Sequence, residues 1–167
     1  NIFCSGTLRL QDSGLSSPMF KITNASSKFT INANLCHSDS MVAMVTNGEM
    51  IHYGTIRGDQ KNIVNVTDTG KWYHDGLNIH DNTNSDYAIR VVNGNGARFT
   101  QIGDLITQTK GSTGNTAGLI RFNDNDSDTT FTFNGDIQCK GTGNNGANSH
   151  LISCSSSGQF NFKGSIY

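Results

Sequence analysis

Thr129-Thr130-Phe131-Thr132-Phe133-Asn134-Gly135-Asp136-Ile137 is echoed by Gln159-Phe160-Asn161-Phe162-Lys163-Gly164-Ser165-Ile166. The shared phrase is F-x-F-x-G-x-I. A second match precedes each copy, Gly118-Leu119-Ile120-Arg121-Phe122 against His150-Leu151-Ile152-Ser153-Cys154. Taking the small residue of the phrase as a marker and reading toward the N-terminus gives Gly164, Gly135, Gly103, Gly76, Gly54, Ala33 and Gly6. The intervals are 29, 32, 27, 22, 21 and 27 residues. A recurring unit of this length is the signature of a stacked-repeat architecture.

Each unit carries three short apolar segments separated by turn residues. The first follows the marker, with Leu8, Leu35, Ile56, Leu105, Ile137 and Ile166 two positions beyond it. The second reads Phe20-x-Ile22, Ala43-x-Val45, Val64-x-Val66, Ile89-x-Val91, Ile120-x-Phe122 and Ile152-x-Cys154. The third places Phe29, Met50, Trp72, Phe99, Phe131 and Phe160 four residues before the next marker. Alternation with period two means strands with one buried face, because successive side chains point to opposite sides of a pleated ribbon. Helical spacing is absent. The pattern predicts an all-β chain, a right-handed parallel β-helix of about six coils of 21–32 residues with three short strands per coil. It spans residues 1–167 as one domain. Equivalent residues then form columns along the axis at a spacing of about 4.8 Å, and the Phe29 to Phe160 series becomes an aromatic-rich core stack.

Composition narrows the partners. Charged residues make up 15% of the 167, the net charge is −1, and the basic residues are scattered, so the chain lacks the concentrated positive footprint that nucleic acid or an anionic membrane requires. Polarity comes from Asn, Ser, Thr and 19 Gly, with a single Pro. These are residues of turns and hydrogen-bonded edges. No window has the apolar length of a membrane span or the layout of a signal peptide. The chain begins at Asn1, residues 1–6 resemble the tail of an earlier coil and Ser165-Ile166-Tyr167 the start of a further one. It therefore reads as a segment of a longer chain or assembly. Cys4, Cys36, Cys139 and Cys154 show no C-x-x-C spacing, which favours buried thiols over a disulfide framework.

The marker-and-strand pattern from Gly6 through Ile166 resembles the right-handed parallel β-helix group that includes bacteriophage tailspikes and tail fibres, pectate lyases and polygalacturonases. The resemblance lies in the repeat and covers nearly the whole chain. It implies a virion or extracellular setting and two families of role. In the first, the chain is a structural and host-recognition segment of a phage-like spike or fibre, a homo-oligomer (trimer or end-to-end stack) whose partner is a cell-surface glycan. One alternative is a subunit of a self-assembling extracellular filament. The other is a polysaccharide lyase or glycoside hydrolase of the same fold, which needs a pair of carboxyls.

Candidate chemistry is sparse. The chain has one glutamate, Glu49. The best carboxylate pair is Asp75 with Asp104, which adjoin the markers Gly76 and Gly103 in successive coils, with His74 nearby; a marker-flanking Asp is otherwise a turn former. Asp124-x-Asp126-x-Asp128 would suit Ca²⁺, but it has Thr129 and Gly135 where an EF-hand has glycine and glutamate, and reads first as a solvated loop between strands two and three. No other cofactor is expected. Two insertions, Gln108–Thr116 and Lys140–Asn148, fall at the same corner of consecutive coils and are where ligand contacts would be placed. Their candidate binding residues are Lys110, Thr113 and Asn115 in the first, and Lys140, Asn144 and Asn145 in the second. One irregularity remains. Two positions before the markers the column runs Cys4, Ile31, His52, His74, Gln101, Phe133, Phe162. Its polar members fit an inward polar ladder, a metal or subunit contact, or a local flip that turns Ile51, Tyr53 and Tyr73 inward.

Overall fold

A computed structural model describes residues 6–10, 17–37, 40–58, 62–80, 87–107, 120–124, 126–139 and 152–167. Among them run eighteen strands, which repeat in threes along the chain. The first strand of each coil is β1 (Thr7–Leu10), β4 (Asn34–His37), β7 (Ile56–Gly58), β10 (Asn78–His80), β13 (Leu105–Thr107) or β16 (Ile137–Cys139). The second is β2 (Phe20–Ile22), β5 (Ala43–Val45), β8 (Val64–Asp68), β11 (Ile89–Gly94), β14 (Ile120–Asp124) or β17 (Ile152–Ser156). The third is β3 (Lys28–Asn32), β6 (Glu49–Tyr53), β9 (Lys71–Asp75), β12 (Arg98–Ile102), β15 (Thr130–Asn134) or β18 (Gln159–Lys163).

Each set forms one six-stranded sheet in coil order, and every pair is parallel. The chain is a three-sided β-solenoid of six coils. The register is the one the repeat demands: Phe20, Ala43, Val64, Ile89, Ile120 and Ile152 align in the second sheet. Phe29, Met50, Trp72, Phe99, Phe131 and Phe160 align in the third. The ladder breaks step once, between Val91 and Gly94 of β11, where Asp68 and Asn93 adopt left-handed backbone with φ of 49° and 52°.

Inward residues of the three sheets meet in one apolar core, with Val45, Val66, Ile89, Phe99, Leu105 and Phe131 fully buried. Phe131 stacks on Phe99 at 4.5 Å and on Phe160 at 4.9 Å between ring centroids, nearly parallel in both cases. Ring spacing thus follows strand spacing, and the stack adds to the area buried. Trp72 occupies the same column, almost fully buried, although its indole N–H finds no partner among the described residues. Cys36 is half-buried, and Cys154, expected in the core, is exposed. Cys154 aligns with the buried Phe122, but β17 is the edge of its sheet and among the described residues no further strand lies over it.

The turn from the third sheet to the first is one or two residues long and begins at the marker. Gly103 has φ +107°, and a Cβ there would stand 2.4 Å from the carbonyl oxygen of Gly76 in the coil below. Glycine is required at that position twice over, by backbone conformation and by the close approach of another backbone. The opposite corner is where length varies. The links from first to second sheet run from five residues (38–42) to twelve (108–119 and again 140–151).

Candidate functional site

The polar column lies inside. His52, His74 and Gln101 are fully buried, and the outward positions beside them hold Ile51, Tyr53 and Tyr73, so the strand is not flipped. Each marker's N–H stays in the inter-coil ladder, Gly54 to Asp75 O and Gly76 to Ile102 O. At Ala33, Gly54 and Gly76 the carbonyl is bound from the interior. His52 Nε2 donates to Ala33 O at 2.7 Å, His74 Nε2 faces Gly54 O at 2.8 Å, and Gln101 Nε2 donates to Gly76 O at 3.0 Å. The polar side chains therefore satisfy main-chain acceptors that the tight corner turns inward, which burial otherwise makes costly.

Gln101 fixes the rest. With its amide nitrogen committed to Gly76 O, its Oε1 accepts from Asn78 Nδ2 at 2.8 Å and faces His74 Nδ1 at 2.9 Å. His74 thus sits between two acceptors. A neutral imidazole can donate to only one of them, so the ladder is one proton short. Burial nevertheless holds the His74 pKa below its usual value, against the raising effect of the Gly54 and Gln101 contacts and of the nearby Asp75 charge. His52 is lowered to about 4, first by burial and then by His74, whose ring centroid lies 4.8 Å away. Asn78 escapes the sequence pattern. It stands where the other coils have Leu or Ile, and its signal was the polar Gln101 in the neighbouring coil.

The carboxylates play other parts. Asp104 Oδ1 accepts the backbone N–H of Asp136 at 2.8 Å, Asp136 Oδ1 accepts that of Ser165 at 2.8 Å, and Asn34 Oδ1 accepts that of Thr55 at 2.9 Å. An Asx side chain after the marker thus serves the corner amide of the next coil, in place of the carbonyl that points inward. Asp75 is exposed at the end of β9 and raises the Tyr73 pKa, second to burial and ahead of Tyr53. Asp104 lies one residue beyond the Gly103 marker, and Asp75 one residue before Gly76.

Asp126 Oδ1 accepts the N–H of Asp128 at 3.0 Å in a turn, Asp124 closes β14, and no group of three metal-binding side chains occurs among the described residues. Lys110, Thr113, Asn115, Lys140, Asn144 and Asn145 lie outside the described residues. The strands on either side of them place both insertions at the corner between first and second sheets.

The outer face of the third sheet carries side chains that reading the repeat for its core left aside. Tyr53 is 40% exposed, and its ring lies 6.1 Å from that of Tyr73, edge to face. Lys71 and Arg98, both exposed, are register partners on β9 and β12. The fold and these surfaces define a parallel β-solenoid. Comparison with protein-family models, with curated proteins and with solved structures found no match.

Proposed function

We propose that this chain is a structural and surface-recognition segment of an extracellular, virion-type spike or fibre, acting as a homo-oligomer and binding a cell-surface glycan without cleaving it. One observation carries the reading. The cross-section is held constant through six coils by a fixed register, while variation in coil length is greatest at one corner. A rigid rod that concentrates its variation along one edge is suited to presenting contacts at a distance from its anchor. The Asx-to-amide contacts of Asp104 and Asp136 support the non-enzymatic side, since they give the corner carboxylates structural work.

The test combines native mass measurement with incubation of the purified chain on immobilised surface polysaccharides. The expected result is a trimer that retains the polysaccharide and releases no new reducing ends or unsaturated products. Release of oligosaccharides, abolished by Asp75→Asn or Asp104→Asn, would replace this reading with the lyase or hydrolase one. Open-ended axial polymers in electron micrographs would replace it with the filament.

A further inference from the structure

We propose that the outer face of the third sheet is a binding platform for an acidic saccharide, with Tyr53 and Tyr73 as its floor and Lys71 with Arg98 as its anion clamp. This deepens the surface-recognition reading and rests on it for the class of ligand, a glycan.

The platform follows from the strand register. Outward positions alternate with the buried column, so β6 presents Glu49, Ile51 and Tyr53, β9 presents Lys71, Tyr73 and Asp75, and β12 presents Arg98, Thr100 and Ile102. Register pairs Ile51 with Tyr73, Tyr53 with Asp75, and Lys71 with Arg98. These nine side chains form a grid: Glu49, Lys71 and Arg98 line one edge, Asp75 stands at the opposite one between Tyr53 and Ile102, and Ile51, Tyr73 and Thr100 lie between. Parallel sheets normally have both faces covered. Here Tyr53 is exposed in mid-sheet beside a half-buried Tyr73, and it is the one large apolar side chain exposed there among the described residues, Ile166 and Tyr167 lying beyond the last long strand.

Charge selects the ligand. The one ion pair among the described residues joins Lys28 to Glu49 at 3.1 Å, which occupies the glutamate that is in register with Lys71. Lys71 and Arg98 have no carboxylate partner among the described residues. Two cations one strand apart repel each other and gain from an anion placed between them. The guanidinium fork suits a planar carboxylate. Tyr73 then offers an apolar ring for the C–H face of a pyranose, the same burial that drives other aromatic contacts. Asp75, beyond the ring, can accept hydroxyl hydrogens only. An acidic sugar is thereby oriented, its carboxylate toward Lys71 and Arg98 and its hydroxyls toward Asp75. A neutral glycan would leave the cation pair unmatched.

The experiment is calorimetric titration of the whole chain with hexagalacturonate, hyaluronan hexasaccharide and oligosialic acid, with maltohexaose as the neutral control. At least one acidic glycan should bind, at least about tenfold more tightly than maltohexaose, and more weakly as salt is raised. Tyr53→Ala/Tyr73→Ala and Lys71→Ala/Arg98→Ala should each weaken it about tenfold or more, and the second should flatten the salt dependence. All four side chains point away from the core, so an unchanged thermal midpoint serves as the folding control; the single variants Tyr53→Ala and Lys71→Gln supply milder tests if a double variant melts early. Acidic-glycan binding that both double variants retain would overturn the platform and leave the surface-recognition reading standing. Equal binding of maltohexaose would overturn the acidic preference. Failure of every glycan to bind would overturn both.

Discussion

The interior of the third sheet is built in two chemistries. In β6 and β9 the inward pairs are Met50 with His52 and Trp72 with His74; in β15 and β18 they are Phe131 with Phe133 and Phe160 with Phe162. The aromatic half gains from ring stacking, with Phe133 and Phe162 centroids 5.7 Å apart. The polar half gains instead from donors aimed at Ala33 O, Gly54 O and Gly76 O. The polar side chains answer a corner so tight that a main-chain carbonyl can be turned into the core, and the rings fill the same column by packing alone. The difference is that the polar solution is tied to protonation state and the aromatic one is not.

The largest expected effect tests whether the shared column is core throughout. Trp72→Ala removes a buried ring between Met50 and Phe99 and should cost about 3–5 kcal/mol, read as a shift in the urea midpoint. A loss under about 1 kcal/mol would show that the column is not packed. Trp72→Phe, which copies the neighbouring coils and deletes an indole N–H without a partner, should cost far less.

Acid separates the halves. His52 titrates at about 4 in the folded chain against 6.5 unfolded, so the unfolded chain takes up the proton first. Its contribution is complete above about pH 6.5 and falls as pH drops toward 4, by about 3 kcal/mol in all; His74, lowered for the same first reason, acts in the same direction. His52→Phe, borrowing the residue of the aromatic half, should blunt this acid loss while costing about 1–3 kcal/mol at neutral pH for the orphaned Ala33 carbonyl. Urea melts of both proteins at pH 7 and pH 4.5 decide it. Equal acid sensitivity would mean that the histidines are not what distinguishes the halves.

The smallest effect concerns the corner. Asp104→Ala should cost about 1 kcal/mol through the lost contact to the Asp136 amide. Asp104→Asn keeps the acceptor, as Asn34 does in its own coil, and should be close to neutral. A thermal melt of the two variants tests this ranking; a purely electrostatic role for Asp104 would make the two losses equal, since both substitutions remove the charge.

The strands were legible because inward positions repeat at fixed distances from a glycine, and steric exclusion at Gly103 enforces that distance. The polar ladder was half legible. His52, His74 and Gln101 stood out against apolar neighbours, but the carbonyls that justify them belong to other residues and leave no mark on the sequence. Asn78 was overlooked because its justification is Gln101, 23 residues away. Tyr53 and Tyr73 were noticed only as an alternative lining of the core. Their outward role depends on side-chain direction, which period-two alternation gives only after the inward set has been fixed. Cys154 was misplaced because the pattern identifies an inward position without saying whether another coil covers it.

From Gly54 to Gly164 each marker rests on the carbonyl of the marker before it, with no room for so much as a methyl group at Gly103. The rod can therefore grow in girth at 108–119 or 140–151, but its pitch is locked. An extra residue beside a marker would act as a structural frameshift: one slip inverts the facing of the strand beyond it, sending Leu105 or Ile137 to the solvent side. Natural variants of this molecule should accordingly tolerate indels along one edge only.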